Sequence, residues 1–107
     1  VRSQAIQEGY SAAAEVPLDI ARRAAELMEL AREVTEIGNA AASSDGVCAA
    51  QALSAAVWCA TYNVEINAAA LKDPAKAQTL RDEVSALRAH AEALLDATNV
   101  AFGARLG

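Results

Sequence analysis

Apolar residues recur at alternating steps of four and three along most of the chain, the period of an α-helix lying on a core. The first stripe runs through Ile6, Tyr10, Ala13, Pro17, Ile20, Ala24, Leu27, Ala31 and Val34, with Glu15, Asp19, Arg22, Arg23, Glu26, Glu29, Arg32, Glu33 and Glu36 mostly on the other faces. It predicts a helix over 3–37. Asp19 with Arg23 and Arg22 with Glu26 have the spacing of ion pairs on one helix face. Pro17 has no backbone N–H to donate and is expected to kink or split this helix near Glu15 or Val16. Gly38-Asn39 is a C-terminal stop.

The segment Gly-Asn-Ala-Ala-Ala-Ser-Ser over 38–44 is expected to be a loop. Ser43 or Ser44 is the expected cap of a second helix over 45–72, with Asp45 in its first turn, where a negative charge suits the helix dipole. Between Gly46 and Leu71 this helix holds a single charge, Glu65. Val47, Cys48, Leu53, Val57, Trp58, Val64, Ile66, Leu71 and many alanines make it apolar nearly all round, the pattern of a helix buried on most sides. Asp73 as cap and Pro74 in the first helical position start a third helix. Its stripe is Leu80, Val84, Leu87, Ala91, Leu94, Thr98 and Ala101, up to a stop at Phe102-Gly103.

The fold class is therefore all-α: long antiparallel helices forming part of a helical bundle. Helices of this length measure about 40 Å. Two neighbours cover only part of the second helix, so its remaining apolar surface must be covered by a missing part of the chain, a second subunit, or both. The pattern is already running at Val1, and the chain is expected to begin inside a larger protein.

Composition narrows the reading. Half of the apolar residues are alanine, and aromatics make up only 4% of the 107 residues. Alanine favours helix and disfavours strand, so an all-β fold is excluded. Apolar content of 54% is too high for a disordered chain. The net charge of −5, with basic residues interleaved among acids, argues against a nucleic-acid partner. Cys48 and Cys59 lie about 16 Å apart along one helix and cannot form an internal disulfide. One histidine and two cysteines make no metal-ligand cluster. No signal peptide and no membrane-spanning run is visible, so no membrane partner is expected and the default setting is soluble and cytoplasmic.

Few residues carry chemistry. His90 stands among charged residues and reads as a surface or partly packed histidine. The segment from Gly38-Asn39 to Ser44-Asp45 puts an amide, two hydroxyls and a carboxylate into one short loop at a helix N-terminus, which suits an anion or a polarised oxygen; the plainer reading is a stop followed by a cap. Asn63 and Asn67 share one face with Ala56 and Ala60. They either bond to loop backbone or neighbouring helices, or hold a polar ligand. Glu65 is either buried, with a raised pKa, or emerges at a helix edge. Trp58 and Tyr62 share another face and read as core or interface residues rather than a stacking platform.

The set Glu15-Val16-Pro17-Leu18, Gly38-Asn39, Ser44-Asp45, Tyr62-Asn63-Val64-Glu65-Ile66-Asn67 and Leu71-Lys72-Asp73, in this order and spacing, resembles the cyclodeaminase/cyclohydrolase family. That family includes formiminotetrahydrofolate cyclodeaminase and methenyltetrahydrofolate cyclohydrolase. The likeness covers residues 4–73, with the third helix matching only in pattern. It implies a helical domain about twice this long, working as a homodimer with its folate site near the subunit interface. This chain would be the C-terminal half, lacking the Gly-Gly-Ser-like segment and the acidic residue of the first half.

The resemblance further implies a tetrahydrofolate derivative as substrate, with no covalently bound cofactor and no metal. The reaction is either loss of ammonia from a formimino group or addition of water to a methenyl group, and the sequence does not choose between them. On matching positions Asp45 is the candidate catalytic residue, orienting water or contacting the pterin. Asn63 and Asn67 would orient the ligand, with Gly38, Asn39 and Ser44 shaping the loop. The chain alone is expected to self-associate and to have little activity. The alternative is a non-catalytic helical dimerisation or interaction module.

Overall fold

Alanine decides how these helices meet. A computed structural model describes all residues, 1–107, as three helices and no strand: α1 (Arg2–Ile37), α2 (Ala40–Ala69) and α3 (Pro74–Leu106). They run up, down and up as a rod of 62 × 17 × 14 Å. Most buried residues are Ala, Ser, Thr or Gly, which let helix backbones approach closely. Larger side chains enter at two levels. Leu18, Val64, Leu80 and Val84 pack with Ala14 and Ala68 near one end. Met28, Val57 and Leu94 pack with Ala24, Ala25 and Ala91 further along.

The buried face of α1 is not the stripe expected from the sequence. Ala14, Leu18, Ala21, Ala25, Met28 and Thr35 point inward with Ala24 and Ala31, whereas Ile6, Tyr10, Ile20, Leu27 and Val34 stay exposed. The helix carries two apolar stripes, and the one with smaller side chains faces its neighbours. Nor does Pro17 divide the helix: α1 is continuous through it, with Ala14 and Leu18 packed in one cluster on either side.

The second helix also starts earlier than expected. Asn39 is the N-cap, its side-chain oxygen accepting from the Ala42 N–H at 2.9 Å. Residues 40–44 are helical, which places Asp45 beyond the first turn. Ser43 is buried and donates to the Thr35 carbonyl at 2.9 Å, tying the end of α1 to the start of α2. Thr35 and Thr98 donate to carbonyls one turn back, so these buried hydroxyls are satisfied without a partner helix. Asp73 caps α3 through the Ala75 and Lys76 N–H groups, and the expected α3 stripe is the buried one. That helix runs on through Gly103 to Leu106.

Polar contacts fasten the outer edges. The Arg23–Asp19 pair forms at 3.0 Å, but Arg22 turns away from Glu26 to bond Glu83 on α3. Hydrogen bonding to Glu83 raises the Arg22 pKa above its ordinary value. Arg88 of α3 donates to Thr61 Oγ1 at 2.9 Å and to Glu65 at 2.8 Å. Its guanidinium lies 4.5 Å from the Trp58 ring centroid and 4.9 Å from that of Tyr62. Glu65 thus emerges at an edge. No helix is long and apolar enough to cross a membrane.

Two outcomes test this packing. A Cβ at Gly46 would overlap Thr35 Oγ1 and stand 2.9 Å from the Ala31 carbonyl, whereas one at Gly103 meets nothing within 4 Å. Gly46→Ala is expected to destabilise by about 1–3 kcal/mol, and Gly103→Ala to stabilise by roughly 0.5–1 kcal/mol, in thermal melts. Arg88→Leu is expected to cost about 1–3 kcal/mol, because Thr61 and Glu65 lose their shared donor. Arg88→Lys is expected to recover only part of this, since an ammonium lacks the planar fork and the stacking surface.

Candidate functional site

The turn between α1 and α2 is set by space. A Cβ on Gly38 would stand 2.6 Å from the Val34 carbonyl and 2.8 Å from Ala42 Cβ, so only glycine lets the chain reverse here. Asn39 is occupied by its capping bond, and Arg105 donates to the Gly38 carbonyl. Ser44 and Asp45 follow as exposed residues of α2.

Past this turn, α1 and α2 leave a groove of about 310 Å³ lined by Leu27, Leu30, Ala31, Val34, Asp45, Gly46, Ala49 and Leu53. Asp45 is its one polar side chain. The groove's surface is wholly apolar: Asp45 borders it without presenting a polar atom to it, and the walls suit the face of a flat ring. Such a groove lies at the small end of ligand sites, and it is open on the side away from α3.

Asn63 and Asn67 lie elsewhere. Asn63 donates to the Cys59 carbonyl at 3.2 Å and Asn67 to the Asn63 carbonyl at 3.0 Å, both within their own helix. They bond neither to loops nor to neighbouring helices. Asp45 and Asn63 are about 27 Å apart along α2. Within one chain the six candidate residues therefore form two groups: Gly38, Asn39, Ser44 and Asp45 at one end of α2, and Asn63 and Asn67 towards the other. His90 is exposed and lies 3.3 Å from Glu29, an edge position. The groove's apolar walls were not singled out by motif; the signal for them was that Leu27 and Val34 continue a stripe the core does not use.

A second concentration of polar groups lies across α2 and α3; of its residues the sequence singled out Trp58 and Glu65 but not Arg88. Trp58, Glu65, Arg81, Val84, Ser85, Arg88, Ala89 and Glu92 line a shallow depression of about 410 Å³. Arg88 is committed there to Thr61, Glu65 and two rings, which makes it a fastening between helices.

The family described as formiminotransferase-cyclodeaminase matches residues 1–86. The formimidoyltransferase-cyclodeaminase of Sus scrofa is 38% identical over 86 residues, covering 80% of this chain and 16% of that protein. That of Rattus norvegicus is 35% identical over the same length, again 80% of this chain and 16% of the relative. The methenyltetrahydrofolate cyclohydrolase of Methylorubrum extorquens is 38% identical over 93 residues, covering 87% of this chain and 45% of that enzyme. The chain thus spans under half the length of the relatives it matches. With residues 1–86 matched by the family and relatives 35–38% identical over most of its length, the chain belongs to the formiminotransferase-cyclodeaminase family.

Proposed function

We propose that this chain forms the C-terminal half of a helical domain that works on the one-carbon unit of a tetrahydrofolate. The groove between α1 and α2 would be part of its substrate site. The observation that carries the reading is the wholly apolar groove of Leu27, Leu30, Ala31, Val34, Ala49 and Leu53, with Asp45 the one ionisable residue on its border. The relatives' names supply the substrate class.

Two reactions suit such a site. Water addition to a methenyl carbon needs a group that takes a proton from the water as the carbon becomes tetrahedral; the ring C–N bond then breaks to give the 10-formyl form. Ammonia loss from a formimino group needs a proton delivered to the departing nitrogen as the ring closes. A carboxylate serves either direction, as acceptor or, once protonated, as donor. Asn63 and Asn67 stand too far along α2 to reach this groove in the same chain and would orient the ligand only from the other chain of a pair, while Gly38, Asn39 and Ser44 hold the turn before Asp45. The working form is taken to be a pair of chains in the cytoplasm.

A second reading rests on the exposed apolar face of α1, which suits a non-catalytic pairing module equally well. Turnover separates the two. The chain alone and the whole protein that contains it are mixed with methenyltetrahydrofolate, and loss of the chromophore is followed against a blank. Ammonia release from formiminotetrahydrofolate is followed in parallel. Turnover by the whole protein, with little from the chain alone, is the expected result. Asp45→Asn in the whole protein is expected to slow it by about 10²–10⁴-fold with an unchanged melting temperature. An unchanged rate would reduce Asp45 to a helix residue, and no turnover of either substrate would favour the pairing module.

A further inference from the structure

We propose that Arg105 is a positioning residue: from the last turn of α3 it clasps the turn between α1 and α2, and so fixes the end of the groove at which α1 hands over to α2. The clasp stands on hydrogen bonds and backbone geometry; its bearing on a substrate rests on the folate reading.

Each of the two interhelical turns is fastened by a side chain of the helix that takes no part in it. At the α2–α3 turn, Gln7 of α1 donates to the Ala70 carbonyl at 3.3 Å and accepts from the Lys72 N–H at 2.7 Å. At the α1–α2 turn, Arg105 of α3 donates to the Gly38 carbonyl. These bonds join residues 63, 65 and 67 positions apart, so they report how whole helices are placed rather than local helix geometry.

The Arg105 clasp answers a need at both of its ends. Gly38 leaves α1 in an extended conformation, with its carbonyl outside the ladder of that helix. The last stretch of α1 carries Glu33 and Glu36, and its last turn has no basic residue. That is the reverse of what the carbonyl end of a helix dipole favours. Arg105 supplies from α3 the cation that α1 lacks. In return, the end of α3 gains an anchor. Gly103 is a poor helix former at the start of the last turn, yet α3 stays helical to Leu106. A side chain tied to another element holds that turn where propensity alone would let it fray. Arg105 lies past residue 86, where the match to the family ends, so no family motif points to it.

The clasped turn borders the groove. The Gly38 N–H donates to the Val34 carbonyl at 2.9 Å, and Val34 is one of the groove's walls. On the other side of the turn, Ser43 bonds the Thr35 carbonyl and Gly46 lies against Thr35, so the start of α2 is held without Arg105. Loss of the clasp therefore loosens residues 37–42 and the Val34 end of the wall, and leaves Asp45 in place. Binding weakens and the chemical step survives. The Gln7 clasp is a control built into the same molecule. It fastens a turn in the same manner, but it stands at the other end of α2, about 45 Å away, and touches no residue of the groove.

Amide hydrogen exchange and steady-state kinetics on the whole protein that contains this chain test the proposal. Arg105→Ala is expected to speed exchange of the Gly38 and Ala42 amides by about five- to ten-fold, the weight of one hydrogen bond from a charged donor. Amides around the buried Val57 are expected to stay unchanged. The KM for the folate that the protein turns over, methenyl or formimino, is expected to rise about three- to ten-fold, with kcat within about two-fold. Arg105→Lys keeps the cation and is expected to recover most of both effects. Adding Gly103→Ala to Arg105→Ala restores helix propensity without the clasp, and exchange at Gly38 and Ala42 is expected to stay fast. Gln7→Ala is expected to speed exchange of the Lys72 amide and to leave KM unchanged. Unchanged exchange at Gly38 and Ala42 in Arg105→Ala would overturn the clasp. Faster exchange there with an unchanged KM, or a KM raised equally by Gln7→Ala, would overturn the positioning role. An unmodified protein that turns over neither folate would overturn the substrate reading and the positioning role with it, while the exchange rates still decide the clasp.

Discussion

The approach of α1 to α2 through small side chains is the constraint on which the rest of this molecule depends. Gly46 lies against Thr35 and the Ala31 carbonyl, leaving no room for a Cβ. Ser43 is buried against the end of α1. Ala50, Ala60 and Ala68 continue the contact down α2. Helices that meet on alanine bury little apolar area per residue, so only 23 of 107 residues are buried and the larger aliphatic side chains of α1 remain outside. The close contact and the uncovered face are two sides of one arrangement. The same contact leaves the groove that Asp45 borders, because Ala31, Gly46 and Ala49 are too small to fill it.

Function follows from where that arrangement leaves the polar groups. A straight helix of 30 residues cannot gather its own ends. Asp45 and the Asn63–Asn67 pair are held apart by the rigidity of α2, each group on a surface bounded by one chain on one side only. A ligand site assembled from rigid, well-separated groups gains precision from the helices and depends for closure on whatever covers the face.

Much of this was legible in the sequence, and the failures have physical causes. Asp73-Pro74 and the stripe from Leu80 to Thr98 are read directly, because α3 has one apolar face and a strong cap. On α1 the periodicity is unmistakable but its phase is not: two apolar stripes run side by side, and the bulkier one, Ile6 to Val34, is the outer one. Hydrophobicity ranks isoleucine above alanine, whereas close helix packing prefers alanine. Ala40, Ala41 and Ala42 carry no cap signal, so Ser43 and Ser44 look like the start of α2 although Asn39 is. Pro17 looks like a break, yet packing on both sides of it holds the helix together. The candidate residues were found by likeness of order and spacing. Their separation into two groups along α2 appears only in three dimensions.

Solution X-ray scattering on this chain tests most directly whether the outer α1–α2 face is covered. The proposed working form, a side-by-side pair of chains, has twice the 11.1 kDa mass, a longest dimension still near 62 Å and a cross-section clearly thicker than 17 × 14 Å. A particle of 11.1 kDa with a radius of gyration near 17.0 Å would contradict it, as would a doubled mass whose length is also doubled.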